Sequence, residues 1–360
     1  MSESLVDWRL AARVAAGVAR EPEDPPGGVP LPLRPDALGA TCAEAEELVR
    51  TYGELHPRPG IPAPEALGRS GWSEAILATL RDLAIEVERE NEITISLPGP
   101  LGAVARSLVG VATGTEVGLA AGYAARRVLG QYDLALIGAE RPPRLLFVAP
   151  NLVATSSELN TELEPFVRWV ALHETTHALQ FASAPWLRDH LGGLVRTLLG
   201  SAAAGVGPGL GASVRKLVTA PREAVSGFLR GDLASALAGP QQAPVLERIQ
   251  ATMTLVEGHA EHVMDAAGPR FVPGVAELRR GLEARREARG PVETIIGRLL
   301  GLDLKLRQYR VGKEFCDGVV DRGGIEALNR VWARPDALPD GAELKDPVAW
   351  LDRTAALHAA

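Results

Sequence analysis

Apolar and polar positions alternate along most of this 360-residue chain with a helical period. Residues 1–20 read as an amphipathic helix. The Pro- and Gly-rich run EPEDPPGGVPLPLRP (21–35) stops it and forms a linker, because proline lacks the amide donor and glycine weakens regular backbone. Further helices are predicted from about Asp36 to Gly53 and from about Trp72 to Asn91, with HPRPGIPAPEALG (56–68) as the loop between them. One segment breaks the helical pattern. RLLFVAPNLV (144–153) is a short, continuous apolar run ending at Pro-Asn, and it reads as a strand closed by a turn.

Residues Leu101 to Ala125 are apolar and nearly long enough to span a bilayer, yet Arg106, Glu116 and several threonines and glycines interrupt them. The expectation is a helix outside any membrane. Gly110, Gly114, Gly118 and Gly122 recur every fourth residue there, which draws a ridge of bare backbone along one side. Such a ridge admits a second backbone at close range, so the segment is predicted to thread tightly through the core as a packing element.

The chemistry-bearing pattern lies inside WVALHETTHALQF (169–181). His173-Glu174-Thr175-Thr176-His177 reads H-E-x-x-H, and two histidines four apart share one helical face, so both can reach one metal ion. Glu174 then projects toward a water on that metal, where a carboxylate serves as general base. The flanks Phe166, Trp169, Val170, Leu172, Ala178, Leu179 and Phe181 predict a helix buried on most sides, where two unpartnered imidazoles are costly. A metal supplies the partner.

A catalytic zinc takes three protein ligands and keeps a position open, so a third ligand is required downstream. TLVEGHAEHVMDAAG (254–268) is the later stretch dense in suitable residues. Glu257 and Glu261 share a helical face; one can bind the metal while the other orients a ligating histidine. Glu261 with Asp265 repeats the same spacing, and His259 and His262 are weaker alternatives. A long Gly/Ala loop, SAAAGVGPGLGA (201–212), falls between the histidines and this segment and reads as a connector.

Glu-Gly-His-Ala (257–260) resembles the E-G-x-A ligand helix of gluzincin metallopeptidases. With LGQYDLAL (129–136), LLFVAPNL (145–152), residues 166–191, 257–268, KLRQYRVGKEF (305–315) and residues 328–353, the chain is similar to an actinobacterial-type zincin-like family. Members of that family are often labelled coenzyme F420 biosynthesis-associated proteins or hydrolases. The resemblance implies an α+β fold, mainly α with a small sheet, and a Zn²⁺ site of His173, His177 and Glu257; the spacing places Glu261 behind them. It further implies that the 144–153 strand is the edge strand beside the metal helix, with Glu174 as catalytic base and a downstream tyrosine, Tyr309, as a second catalytic group. One departure is the long separation of His177 from Glu257 by residues 178–256, where better-known gluzincins use a short helix and loop.

Composition narrows the partners. A formal charge of -7 and a pI near 5.6 exclude a basic nucleic-acid face, and aromatic residues at 4% provide no base-stacking platform. Cys42 and Cys316 are too few for a disulfide framework and are not spaced as metal ligands. The acidic, interrupted N-terminus does not read as a secretory signal, so a cytoplasmic peptide hydrolase is the expectation, with a peptide or protein substrate and no membrane. Residues 1–360 are expected to form one zincin-like domain, with 1–95 a helical N-terminal part and 96–360 the metal-bearing core.

Overall fold

Arg144–Val148 forms a strand because it is apolar on both faces, the pattern of a strand covered from two sides. In the computed structural model, which describes residues 6–20, 29–57, 60–90, 99–138, 141–205, 243–287 and 302–359, this strand (β3) is the centre of a three-stranded sheet. Pro64–Leu67 (β1) pairs with it in parallel, Pro64 opposite Leu145 and Leu67 opposite Val148. Gly130–Asp133 (β2) pairs on the other side in antiparallel, Gly130 opposite Phe147 and Asp133 opposite Arg144. The order β1-β3-β2 leaves β2 at an edge.

The strand is shorter than the sequence predicts. Pro150 stands in the first turn of a helix, Ala149–Glu158 (α5), rather than in a turn that closes the strand. Its fixed φ and missing N–H cost nothing at a helix start. The expected loop 56–68 likewise contains β1, whose Pro-Glu-Ala-Leu sequence has no strand signature of its own; its pairing comes from β3.

The remaining regular elements among the described residues are helices. Trp8–Ala19 (α1) is capped by Asp7, whose side chain accepts from the Leu10 N–H at 2.9 Å. Pro35–Gly53 (α2) and Arg69–Glu90 (α3) follow the predicted spans closely. Gly99–Ala125 (α4) carries the glycine ridge, and among the described residues no helix is long and apolar enough to cross a membrane. The ridge does admit a second backbone, but its partner is α1. A Cβ on Gly114 would sit 2.6 Å from the Asp7 carbonyl oxygen, and one on Gly118 would sit 2.6 Å from that of Ala11. The helix does not run through the core, for Leu108, Val111 and Leu119 on its far side are 66%, 46% and 49% exposed.

The main core forms where α2 crosses Leu163–Ser183 (α6), and where both meet Ala243–Phe271 (α8). Trp186–Gly205 (α7), Val275–Glu287 (α9), Leu302–Asn329 (α10) and Pro347–Ala359 (α11) close around them. Phe166, Leu172, Leu179, Leu255, Phe315 and Trp350 fill the space between with almost no exposure. The beginning of the expected 201–212 loop continues α7 to Gly205; the rest lies outside the described residues, as does most of the 21–35 linker.

The tightest helix contact is between α8 and α10. A Cβ on Gly258 would run into the backbone of Gly312, and one on Gly312 into the Thr254 carbonyl. Gly258 therefore owes its identity to packing. Replacing it with alanine should destabilise the protein by about 1–3 kcal/mol or more, as overpacking does. Gly17→Ala is the control, on the exposed side of α1 with no atom within 4 Å of the added carbon, and should stabilise by about 0.5–1 kcal/mol. Urea denaturation of both variants checks this; equal stabilities would refute the contact.

Candidate metal centre

Helix α6 is almost wholly buried through residues 166–180. His173 and His177, one turn apart, bring their Nε2 atoms to 3.1 Å of each other, the rings edge to face. From α8 the Oε2 of Glu257 lies 3.4 Å from His177 Nε2 and 3.7 Å from His173 Nε2. One ligand-type atom from each of the three falls within 4.8 Å of the others. Two nitrogen or oxygen ligands at a tetrahedral zinc, each about 2.0–2.1 Å from it, are about 3.4 Å apart. The three observed separations bracket that value, so the residues fit a zinc ion.

The other nitrogen of each imidazole is also occupied. His177 Nδ1 lies 2.9 Å from Gln180 Oε1, and His173 Nδ1 lies 3.3 Å from the sulfur of Met264. Trp169 stacks on the His173 ring, with planes 8° apart. Burial pulls the His177 pKa down, but the carboxylates of Glu257 and Glu174 and the hydrogen bonds it donates to Glu257 and Gln180 outweigh it and lift it to about 9. The site is thus a place where positive charge is stabilised.

Glu174, only 8% exposed, turns to the sheet. Its Oε2 accepts from the Tyr132 N–H of β2 at 3.0 Å. Gly130 makes room for it, since a Cβ there would stand 2.7 Å from Glu174 Cγ. The strand beside the metal helix is therefore edge strand β2. The 144–153 segment, which the resemblance assigned to that role, is central and paired on both sides.

The other predicted residues are placed elsewhere. Glu261 faces Arg279 at 3.7 Å, and Asp265 pairs with Arg279 and with Lys313 at 2.8 Å. The amide of Gln180, absent from the sequence prediction, occupies the place behind His177. His259 is fully buried beside Gln180, edge-on to Trp332, and burial pushes it down to about 3, so its imidazole is neutral. His262 bridges Tyr52 Oη at 2.7 Å and Asp317 Oδ1 at 2.6 Å. Neither joins His173, His177 and Glu257, and among the described residues no fourth His, Cys, Asp or Glu does. Tyr309 lies in α10, but its side chain is outside the described residues. Both cysteines are buried free thiols; burial pushes Cys42 up to about 12 and raises Cys316 as well.

A family model described as zincin-like metallopeptidase matches residues 6–351. Among solved structures, the chain is similar to one from Chloroflexus aurantiacus described as "a putative hydrolase with a novel fold". The two share 28% identity over 97% of this chain and 99% of the other, with a TM-score of 0.67. No curated protein matches the chain.

The raised His177 pKa has a signed consequence. Its folded value of about 9 exceeds the unfolded value of about 6.5, so protonated His177 stabilises metal-free protein below about pH 6.5. That contribution is lost as pH rises through about 9. Urea denaturation of metal-free wild type and His177→Gln from pH 6 to 10 should show the wild type's excess stability falling across this window. A difference that stays constant with pH would contradict the assignment.

Proposed function

We propose that this chain, which belongs to the zincin-like metallopeptidase family, is a zinc-dependent hydrolase that cleaves amide bonds in a peptide or protein. The observation that carries the reading is the meeting of His173, His177 and Glu257 within 4.8 Å with no fourth ligand-type group among the described residues. Three protein ligands and one open position are the arrangement of a catalytic zinc, whereas structural zinc sites are closed by four. His259 and His262, the residues that would close this one, are committed to Gln180 and to Tyr52 and Asp317.

His173 and His177 offer Nε2 lone pairs and Glu257 a carboxylate oxygen. Zinc held there supplies Lewis-acid chemistry, making water acidic near neutral pH and polarising a carbonyl. Glu174 sits beside the first histidine with one carboxylate oxygen fixed by Tyr132 N–H, so its rotation is restrained before substrate arrives. It takes the proton from the attacking water and passes it to the departing amine nitrogen. Edge strand β2 runs past the same carboxylate, which supports an extended chain as substrate, since such a chain can add to a strand edge. The association of similar proteins with coenzyme F420 metabolism adds small amides to the substrates worth testing.

Zinc-loaded protein incubated with a peptide library, read by mass spectrometry for new termini, tests this reading. Wild type should cleave, and Glu174→Gln should keep stoichiometric zinc while losing about 10²–10⁴-fold in rate. His173→Ala should lose the zinc. Wild-type turnover by Glu174→Gln, or full zinc content in His173→Ala, would overturn the assignment of roles.

A further inference from the structure

Gln180 is a polar side chain with no exposure at all, one turn beyond His177 on α6, and all of its amide contacts are specified. Its Nε2 donates to the Val256 carbonyl at 2.8 Å and to His259 Nδ1 at 2.9 Å, while its Oε1 faces His177 Nδ1 at 2.9 Å. The orientation of the amide is forced. A backbone carbonyl can only accept, so the NH₂ end must point to Val256 and the oxygen must point to His177. An amide oxygen cannot donate either, so His177 carries its proton on Nδ1. The lone pair of the neutral ring is then on Nε2, the atom that faces His173 and Glu257.

The same amide touches the other ligand helix. Val256 and His259 lie on either side of Glu257 in the same turn of α8, so the two donated hydrogen bonds tie that turn to α6 at the level of His177. We infer that Gln180 is a positioning residue that sets His177 as an Nε2 ligand and holds the Glu257 turn in register with the H-E-x-x-H helix, with His259 fixing the amide from behind. A deletion of the amide therefore loosens two ligands at once.

The inference rests on the zinc reading above, and its test separates the two. Zinc affinity is measured by competition with a chelating fluorophore for wild type, Gln180→Leu and Gln180→Glu. Gln180→Leu should bind zinc about 10–100-fold more weakly, the usual cost of losing a group that orients a ligating histidine. Gln180→Glu keeps an acceptor for His177 Nδ1 but loses both bonds donated to α8, so it should weaken zinc binding less than Gln180→Leu does while leaving His177 protonated at Nδ1. In parallel, long-range ¹H–¹⁵N spectra of zinc-loaded wild type labelled at histidine should show His177 metallated at Nε2 and protonated at Nδ1, a signature that bulk destabilisation does not mimic. Metallation of His177 at Nδ1 would overturn the inference without any variant. So would zinc binding by Gln180→Leu within about threefold of a zinc-binding wild type. A wild type that takes up no zinc would instead sink the metal site itself.

Discussion

Glu257 enters a helical core between two imidazoles, and the arrangement of α6 and α8 follows from the need to compensate its charge. A carboxylate at 7% exposure is tolerated only where opposite charge or hydrogen-bond donors meet it. Here its neighbours at 3.4 and 3.7 Å are imidazole nitrogens, and Glu174 adds a second carboxylate nearby. The field that holds a proton on His177 up to about 9 is also one that attracts a divalent cation. Proton and metal compete for the same atoms, which couples metal affinity to pH.

Two constraints from packing serve that arrangement. Gly258, the residue after Glu257, lets the backbone of α10 lie against α8, so the turn that carries Glu257 is braced from behind. On the opposite side Gly130 lets β2 reach the Glu174 side chain, and the strand's amide holds that carboxylate. In both places a missing side chain brings backbone up against the turn or side chain of a buried glutamate. The glycine ridge of α4 uses the same device for a purely structural contact with α1.

The metal helix was legible in sequence because its chemistry and its periodicity coincide: two histidines, a glutamate and an apolar surround within a few turns. Glu257 was legible only through its resemblance to a known motif, since residues 178–256 separate it from His177 and spacing alone left Glu261 equally eligible. The central strand was visible as an apolar run, but β1 and β2 were not, because Pro-Glu-Ala-Leu and Gly-Gln-Tyr-Asp become strands only by pairing with β3. Gln180, three positions past His177, carries no motif that marks it in the sequence. Its importance was hidden, because its partners Val256 and His259 arrive by tertiary packing. The glycine ridge announced a close neighbour without identifying it, and α1 turned out to be that neighbour rather than the central core.

The central claim is that two imidazole nitrogens and one carboxylate hold zinc while a further position stays open to water. X-ray absorption at the zinc edge of the stoichiometrically loaded protein tests it most directly. The account predicts a first shell of nitrogen and oxygen only, at about 2.0–2.2 Å, with the outer scattering of two imidazoles. A third imidazole, or sulfur at about 2.3 Å, would contradict it.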